Sequence, residues 1–327
     1  IFEMIKANRT MKKKLSIVIW AVMLFGTILH AQNGDAPISG NIPIAVVGAS
    51  QEGVPENVNR YMEDKLQQVI SANGLGSADY YGRFIITASI LPVTKDIVPG
   101  PPKQFAENLD VTLYIVDNID QKIFSSVTVS VRAVDRSEEK VLNKAVRSIN
   151  VKSPQITSFV NEGRDKIVAY YVAQSDRIIS KAKALAKQRQ YEAAFYELSA
   201  IPEACGPAYD RALAVGTEIY QEYVDYLCEV NLARARSVWM AEQNSYSAYE
   251  TGEYLSQILP DAQCYGEANN LYKEIKAKVL DDWKFEMKKY NDQISLEQAR
   301  IDAWRQVGVA YGKNQKSDTY NVTWLVR

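Results

Sequence analysis

The stretch Ser175–Gly206 constrains the fold more than any other part of this chain, because it encodes two helices in immediate succession. Apolar residues first recur at helical spacing, at Ile178, Ile179, Ala182, Leu185 and Ala186. The pattern is interrupted at Gln188–Gln190, resumes as far as Leu198, and ends at Pro202 and Gly206. The stretch therefore predicts a helix, a tight turn and a returning helix.

A related pattern returns 58 or 59 residues later. The segments Tyr191–Leu198 and Ile201–Cys205 (YEAAFYEL, IPEAC) match Tyr249–Leu255 and Leu259–Cys264 (YETGEYL, LPDAQC). They resemble tetratricopeptide-type helical repeats over Ser175–Tyr290, with a period longer than the usual ~34 residues because the linking helices are long. The resemblance implies a groove that holds protein partners. We expect the inner face of this groove to carry four tyrosines, Tyr191, Tyr196, Tyr249 and Tyr254.

The first half of the chain has a different pattern. Period-two alternation and helical spacing predict a strand, a helix, a strand, a loop, a β-hairpin and a final helix. In that order the elements cover Ile42–Val47, Val54–Ala72, Phe84–Leu91, Pro92–Pro102, the strand pair Leu109–Val116 and Lys122–Val134, and Glu138–Ser148. This order predicts an α+β fold, in which a small mixed or antiparallel sheet with helices on one side precedes an all-α domain of helical hairpins.

The rest of the chain is predicted to be almost purely helical. The helices cover Ser153–Lys187, with a kink at Gly163, and then Ala208–Asn244, Ser245–Leu259, Ala262–Tyr290 and Ile294–Tyr311. We accordingly divide the chain into an α/β domain at 42–152, a helical repeat-like domain at 153–312 and an extended tail at 313–327.

The first residues predict an export signal. Met11 is the expected start of translation, with residues 1–10 upstream of it, and three lysines precede the apolar run Leu15–Leu29. We expect cleavage after Ala31, which leaves residues 32–41 as a polar leader. The alternative is an uncleaved membrane anchor, although the run is shorter than the ~20 residues of a transmembrane helix. The predicted location is periplasmic or secreted, in a Gram-negative bacterium.

Composition restricts the chemistry. The first 31 residues contain five basic residues and one acidic residue, so the exported chain has 33 basic and 38 acidic residues. It contains no long basic cluster, and both features disfavour nucleic-acid binding. The only histidine is His30, inside the predicted signal peptide. Histidine-dependent catalysis and His-ligated zinc are therefore excluded in the exported chain. No P-loop or GxSxG motif is present. We predict a non-enzymatic protein without a cofactor or a metal.

Three cysteines, Cys205, Cys228 and Cys264, lie in the helical half without the paired spacing of a zinc site. In an oxidising compartment Cys205 and Cys264 could form a disulfide that stabilises the fold by about 4 kcal/mol. Their equivalent positions in two repeats oppose this, because neighbouring helices lie about 8–10 Å apart and bridged Cα atoms lie within about 7 Å. Buried thiols are therefore the default prediction, and the disulfide Cys205–Cys264 is the alternative.

The order of elements over Ile42–Tyr170 carries a second resemblance. A strand, an amphipathic helix, a strand, a long hairpin and a helix in an exported chain are similar to the amino-terminal domain of the TolB protein, the curli-secretion lipoprotein and the penicillin-binding-protein activators. This resemblance implies binding to other envelope proteins. The chain lacks the lipid-attachment cysteine of the last two, which argues against an outer-membrane role. More broadly, the chain resembles uncharacterised exported proteins of gut bacteria and their tailed phages.

Carboxylates and tyrosines support an alternative hypothesis, a periplasmic glycan-binding or glycan-processing protein. Asp110, Asp117 and Asp120 could supply carboxylates to a sugar or a cation. Tyr80-Tyr81 and Tyr170-Tyr171 could stack on a sugar. Turn formation and core packing explain the same residues without any ligand.

The leading hypothesis is an exported envelope protein that acts as a protein–protein interaction scaffold, through an α/β docking domain and a helical repeat groove. A third hypothesis is a self-assembling structural or virion-associated component. The tail segment Tyr320–Val326 (YNVTWLV) has strand character and would pair between subunits. The expected partners are therefore envelope proteins or a second copy of the chain, and a membrane only through an uncleaved signal segment.

Overall fold

One mixed sheet of four strands occupies the first half of the described chain, and packed helices make up most of the second half. The computed structural model describes residues 40–48, 51, 53–75, 82–279, 283–288 and 296–315, all of which belong to one compact unit. The predicted α+β class is confirmed. The predicted signal segment, Tyr80-Tyr81 and the tail segment Tyr320–Val326 lie outside the described residues.

The sheet contains the strands β1 (Ile44–Val46), β2 (Phe84–Val98), β3 (Gln104–Asp117) and β4 (Lys122–Asp135). Their spatial order is the same as their order in the chain. β1 is parallel to β2, whereas β2 with β3 and β3 with β4 are antiparallel. A helix connects the parallel pair, because a parallel crossover needs a long connection.

The described α-helices are α1 (Glu56–Ala72), α2 (Glu138–Ser148), α3 (Pro154–Lys187), α4 (Tyr191–Leu198), α5 (Pro207–Ala241), α6 (Ser245–Leu255), α7 (Tyr265–Val279) and α8 (Leu296–Gln315). Side-chain caps start three of them, with Ser137 before α2, Ser153 before α3 and Asn244 before α6. Pro154 fits the first turn of α3, where a backbone N–H would have no helical partner. Within the described ranges, no helix is long and apolar enough to cross a membrane.

The two faces of the sheet differ in polarity. On β3, four buried residues share one face, Leu109, Val111, Leu113 and Ile115. The residues between them face the other way and form polar contacts with β4. There the Ser130 hydroxyl donates to Asp110 at 2.6 Å, and the hydroxyls of Thr112 and Thr128 lie 2.9 Å apart. The apolar face therefore receives the helices, and the polar face does not need them.

β2 is longer than its sequence pattern predicts. The predicted strand ends at Leu91 and the predicted loop starts at Pro92, yet β2 continues to Val98 in pairing with β3. The register shifts between Pro92 and Thr94. A proline is accommodated there because edge strands and bulges tolerate a residue without a backbone N–H. The loop prediction for Pro92–Pro102 is therefore wrong for its first seven residues.

The long helix α3 packs against β4 and also against α4 and α5. The sequence predicts a kink at Gly163, but the helix is unbroken there. Gly163 instead allows a close approach to the sheet, since a Cβ added to it would lie 2.7 Å from Cδ1 of Ile115. One helix thus contacts both halves of the chain, and the domain boundary between residues 152 and 153 stays a prediction.

The two related sequence segments occupy equivalent positions in two helix pairs. In each pair a long helix, α3 or α5, packs against the short helix that follows it, α4 or α6. The last described helix, α8, packs against α4 and α5. Gly308 makes this possible, because a Cβ there would lie 2.9 Å from the carbonyl carbon of Phe195. The assignment to tetratricopeptide-type repeats stays a prediction.

The predicted helix Ala262–Tyr290 is wrong for residues 283–288, and α7 covers Tyr265–Val279. Residues 283–288 are not helical. Trp283 is buried and donates its indole N–H to the carbonyl of Ala248 at 3.0 Å, and the Tyr272 hydroxyl donates to the carbonyl of Phe285 at 3.0 Å. These contacts hold the segment against α6 and α7, so tertiary packing overrides the helical spacing of its apolar residues.

The disulfide joins Cys228 to Cys264, with a Cα–Cα distance of 6.0 Å. The alternative pair Cys205–Cys264 is therefore wrong, and the default prediction of buried thiols is wrong for Cys228 and Cys264. The loop before α7 lies against α5, where the backbone N–H of Gln263 donates to Asp225 at 2.8 Å, and this places Cys264 beside Cys228. Cys205 is a buried free thiol in a short 3-10 helix, and burial raises the pKa of that thiol to about 11.

This pairing predicts one free thiol per chain when the oxidised protein is unfolded in guanidinium and titrated with Ellman's reagent. Replacing both partners, Cys228→Ser with Cys264→Ser, is expected to lower the free energy of unfolding by about 4 kcal/mol, because a loop of 36 residues is released in the unfolded chain. Denaturant unfolding measures the loss. The variant Cys205→Ala is the control, and it should show no free thiol. Three free thiols in the unchanged protein would contradict the pairing.

Candidate functional site

The carboxylate of Asp117 is fully buried at the end of β3 and accepts four hydrogen bonds. Oδ1 accepts from the backbone N–H groups of Ile119 at 2.9 Å and Asp120 at 3.0 Å, as expected for an aspartate that starts a turn. Oδ2 accepts from Nε of Arg83 at 2.7 Å and from the Tyr171 hydroxyl. These bonds replace the hydration that the charge loses on burial.

Arg83 connects this carboxylate to the surface. Its Nη2 donates to Asp120 at 2.7 Å, and its Nε also lies 2.7 Å from the Tyr171 hydroxyl oxygen. Burial opposes the charged guanidinium, but the charges of Asp117 and Asp120 outweigh burial and raise the pKa of Arg83. Burial also raises the pKa of Tyr171, with Arg83 opposing the shift and Asp117 adding to it. Tyr171 is therefore a neutral donor within a charged cluster.

The three carboxylates predicted for a glycan or cation site lie in different environments. Asp117 is enclosed by its four hydrogen bonds, and Asp120, 42% exposed, is paired with Arg83. Asp110 lies on the polar face of the sheet and accepts from Ser130. In the described part of the chain, no group of three or more His, Cys, Asp or Glu residues is placed to hold a metal ion.

A cavity of about 440 Å³ lies beside Arg83, between the start of β2 and the helices α4, α5 and α8. We call it the sheet–helix cleft. Its polar and aromatic lining comes from Arg83, Tyr196, Tyr209, Trp304 and Arg305. Apolar side chains such as Ile201, Leu213 and Val309 complete the wall. Mostly apolar cavities of this size, with a few convergent polar groups, are typical of small-molecule sites.

Trp304 belongs to the wall of the sheet–helix cleft, and its indole N–H is buried by the surrounding protein. Its side chain is only 2% exposed, and its indole N–H has no hydrogen-bond partner among the described residues. Leaving a buried donor unpaired costs about 1–3 kcal/mol. The indole reaches this position because Gly216 of α5 has no side chain, and a Cβ there would lie 2.5 Å from Cε2 of Trp304.

The side chains of Arg305, Tyr209 and Tyr196 also line the cleft, and each carries a hydrogen-bond donor. The guanidinium of Arg305 lies over the ring of Tyr209, 5.8 Å from its centroid. Burial raises the pKa of the Tyr209 hydroxyl, and also that of Tyr196, where Arg83 opposes the shift. Both tyrosines are therefore neutral hydroxyls at neutral pH, and the cleft combines several donors with the acidic side chain of Glu203.

The four predicted partner-binding tyrosines do not share one environment. Tyr191 is buried, and its ring packs against Tyr223 and Tyr226 with centroid distances of 5.4 and 5.6 Å. Tyr196 is half-buried, packs against Tyr311 and lines the sheet–helix cleft.

The other two tyrosines belong to α6. Tyr249 is 57% exposed and packs edge-on against Phe285, with the ring centroids 5.1 Å apart. Tyr254 is half-buried against the core around Trp239. Only Tyr249 of the four presents a largely exposed ring, and partner binding by these tyrosines stays a prediction.

Apolar side chains are exposed along the far half of β2. Leu91, Val93, Ile97 and Val98 are 40–63% exposed. This half pairs with β3 on one side, while β1 pairs only with Phe84–Ile86. Among the described residues, no strand therefore lies beside Leu91–Val98 on its other side. We call this segment the exposed edge.

The opposite edge of the sheet, β4, is partly covered. Lys144 of α2 donates to the carbonyl of Val134 at 3.0 Å, and Gln155 of α3 donates to the carbonyl of Thr128 at 3.0 Å. Side chains thus occupy backbone acceptors of β4, which is one way in which proteins protect a sheet edge. The exposed edge combines an accessible backbone with apolar side chains.

The sequence patterns predict neither the sheet–helix cleft nor the exposed edge. The cleft residues come from segments more than 200 residues apart in the chain, from Arg83 to Arg305, so only packing brings them together. The exposed edge had a local signal, because four apolar residues follow one another closely between Leu91 and Val98. Two prolines near them favoured a loop instead.

Comparison with known proteins gives only distant similarities. No family model matches the chain, and no curated protein matches it. A minor lipoprotein from Acinetobacter baumannii is 15% identical with a TM-score of 0.25, over 37% of this chain and 94% of that one. A candidate lipoprotein from Caulobacter crescentus CB15 is 12% identical with a TM-score of 0.23, over 36% of this chain and 90% of that one. At these scores the similarities carry no inference about this chain.

The cluster around Asp117 predicts a contrast between two neighbouring aspartates. Asp117→Asn is expected to lower the free energy of unfolding by about 3–5 kcal/mol, because it removes the fully buried charge that pairs with the partly buried Arg83. Asp120→Asn is the matched control, with an expected loss below about 1 kcal/mol, since its ion pair is partly exposed. Urea unfolding at neutral pH measures both. Equal losses in the two variants would contradict the assigned role of Asp117.

The raised pKa of Tyr171 predicts a dependence of stability on alkaline pH. The folded protein keeps a phenol proton that the unfolded chain releases above about pH 10, so stability falls as pH rises above that value. In Tyr171→Phe the slope of unfolding free energy against pH should be smaller by up to about 1.4 kcal/mol per pH unit. The variant Tyr249→Phe, at an exposed ring, is expected to follow the unchanged protein. Identical slopes in all three proteins would exclude a raised pKa for Tyr171.

Proposed function

We propose that this chain is a non-enzymatic protein of the bacterial cell envelope that binds other proteins. The predicted export signal supports the location. The resemblance of Ile42–Tyr170 to domains that bind envelope proteins supports the class of activity. Within this class, we propose that the α/β part is a docking domain and that the helical part offers a second surface.

The observation that carries the proposal is the exposed edge. Backbone N–H and C=O groups on the outer side of an edge strand can pair with an added strand. At Leu91–Val98 this backbone is combined with four exposed apolar side chains, so an added strand would gain hydrogen bonds and apolar contacts together. The partial cover over β4 leaves the exposed edge as the better acceptor of the two.

The proposed ligand of the exposed edge is an extended segment of an envelope protein that is rich in apolar residues. Successive side chains of a strand point to opposite faces, as Ile97 and Val98 of β2 do, so apolar residues on both faces of the added strand would meet apolar side chains of β2. Complete burial of one such side chain contributes about 1.5–3 kcal/mol. Partial burial of four such side chains and several backbone hydrogen bonds are the contributions that would offset the cost of association.

The second proposed surface is the outer side of α6. Tyr249 is exposed there and rests on Phe285, which fixes the orientation of its ring. A large, oriented aromatic side chain is a typical anchor of protein interfaces. Tyr191 lies in the core, so a groove lined by all four predicted tyrosines is not part of the proposal.

Site-specific photocrosslinking in the cell envelope tests the exposed edge. Benzoylphenylalanine is introduced singly at Leu91, Val93 or Ile97 of the full-length protein, and crosslinked peptides are identified by mass spectrometry. The expected result is one peptide of another envelope protein, contacted at successive positions in the order that strand pairing imposes. Ile123 on β4 is the control position, since it is similarly exposed but lies outside the edge.

A double substitution at the exposed edge tests whether the crosslinked partner binds there. Val93→Lys with Ile97→Lys should reduce recovery of that partner at least tenfold, because two charges would have to be buried at the contact. Ile123→Lys should leave recovery unchanged. Crosslinks to peptides of this same chain would instead favour self-assembly, and crosslinks without a consistent register would contradict strand addition.

A further inference from the structure

We propose that the partner segment of the exposed edge carries a basic residue, Lys or Arg, that faces Asp96, with apolar residues on both sides of it. Because the partner reaches Asp96 by strand addition, this requirement rests on the proposed function and narrows the sequence of the ligand. The direction of the free backbone groups of β2 and the charge of Asp96 support it.

Side chains at the outer edge of β4 show which backbone groups point outward in this sheet. The carbonyl of Val134 accepts a hydrogen bond from Lys144 at 3.0 Å, so the backbone of Val134 points away from β3. The carbonyl of Thr128 points the same way, as expected at an even separation along a strand. Ala106 of β3 is the partner of Val134. Residues of an antiparallel pair exchange two backbone hydrogen bonds or none, so Ala106 points toward β2.

The same alternation gives Lys95 and Ile97 of β2 outward backbone groups. Asp96 is the partner of Ala106, so the backbone of Asp96 bonds to β3. Its neighbours in the strand, Lys95 and Ile97, therefore point away from β3. Each offers an N–H and a C=O to an added strand.

Nearer the start of β2, the outer side of the strand offers fewer donors. The N–H of Ile90 already donates to the side-chain oxygen of Gln51 at 2.6 Å. Pro92 has no N–H. An added strand is therefore centred on Lys95–Ile97, and one of its residues lies beside Asp96.

Asp96 presents an unpaired charge to that residue. Lys95 pairs with Glu138 of α2 at 2.5 Å, so Lys95 faces the helices and Asp96 projects from the open, polar face of the sheet. Asp96 is exposed, and its carboxylate has no hydrogen bond or ion pair among the described residues. Opposite charges on adjacent strands stabilise strand pairing and like charges destabilise it. The residue beside Asp96 is therefore basic.

The neighbours of Asp96 determine the residues that flank the basic one. Ile97 is 56% exposed on the helix side of the sheet, and Val98 is 40% exposed on the open side. The partner residue next to the basic one points to the helix side and meets Ile97. The following residue points to the open side and meets Val98. Both contacts favour apolar side chains.

A second copy of this chain does not meet these requirements. Two copies of the exposed edge that pair antiparallel, with Lys95 opposite Ile97 and Ile97 opposite Lys95, place Asp96 opposite Asp96. The two like charges oppose that pairing. The occupant is therefore a different protein, with the opposite charge at this position.

Peptide display on phage tests the charge requirement with the full-length protein. The library presents several copies of an extended peptide of alternating Thr and Val, in which one central position carries any amino acid. After selection, we expect the ratio of Lys and Arg to Asp and Glu at that position to rise at least fivefold. Asp96→Lys should reverse the preference, with a ratio at least fivefold below that of the starting library.

Asp165→Lys is the matched control, because it makes the same change of net charge at an exposed aspartate of α3. It should select the same peptides as the unchanged protein. A ratio in Asp96→Lys equal to that in Asp165→Lys would overturn the proposal, since it would assign the preference to the net charge of the protein.

One further variant separates this charge requirement from the proposed function. Val93→Lys with Ile97→Lys blocks the exposed edge and should enrich none of the peptides. Peptides that are lost in this variant but show no charge preference on the unchanged protein would overturn the basic residue and leave strand addition in place. Enrichment of the same peptides by this variant, or of none by the unchanged protein, would contradict both.

Discussion

The buried pairing of Asp117 with Arg83 and Tyr171 joins the sheet to the long helix α3. Asp117 is 34 residues from Arg83 and 54 residues from Tyr171 in the chain, and Arg83 is 88 residues from Tyr171. Their contact is therefore purely tertiary. Burial of a carboxylate is unfavourable by itself. It is tolerated here because four hydrogen bonds and a guanidinium replace the lost hydration. Since Arg83 also lines the sheet–helix cleft, the sheet wall of the cleft depends on this pairing.

Three glycines determine how closely the helices approach their neighbours. Gly163 lets α3 approach Ile115 of β3. Gly216 of α5 leaves room for the side chain of Trp304 of α8, and Gly308 allows α8 to reach the backbone of α4. The same region that packs so closely leaves a cavity of about 440 Å³ between the sheet and the helices. The indole N–H of Trp304 is buried by the close contact with α5 and has no hydrogen-bond partner among the described residues.

The local signals of the sequence predict much of the secondary structure but little of the candidate site. Ser153-Pro154 indicates the start of α3 correctly, because the cap and the proline act within one turn. Pro92 wrongly predicts a loop after Leu91, because tolerance of a proline at a sheet edge depends on strands elsewhere in the chain. The partner of Cys264 and the end of α7 at Val279 depend on contacts with α5 and α6 that no local pattern contains. The sheet–helix cleft was not foreseen for the same reason.

The exposed edge and the sheet–helix cleft lie at different parts of the same strand. Phe84 lines the sheet–helix cleft, and the exposed edge begins at Leu91, seven residues further along β2. At about 3.3 Å per residue, this separation is roughly 23 Å. A strand added at Leu91–Val98 would therefore not cover the cleft. An exposed apolar edge is normally an aggregation hazard, so the partner that we propose for the edge would also protect it from pairing with other copies of the chain.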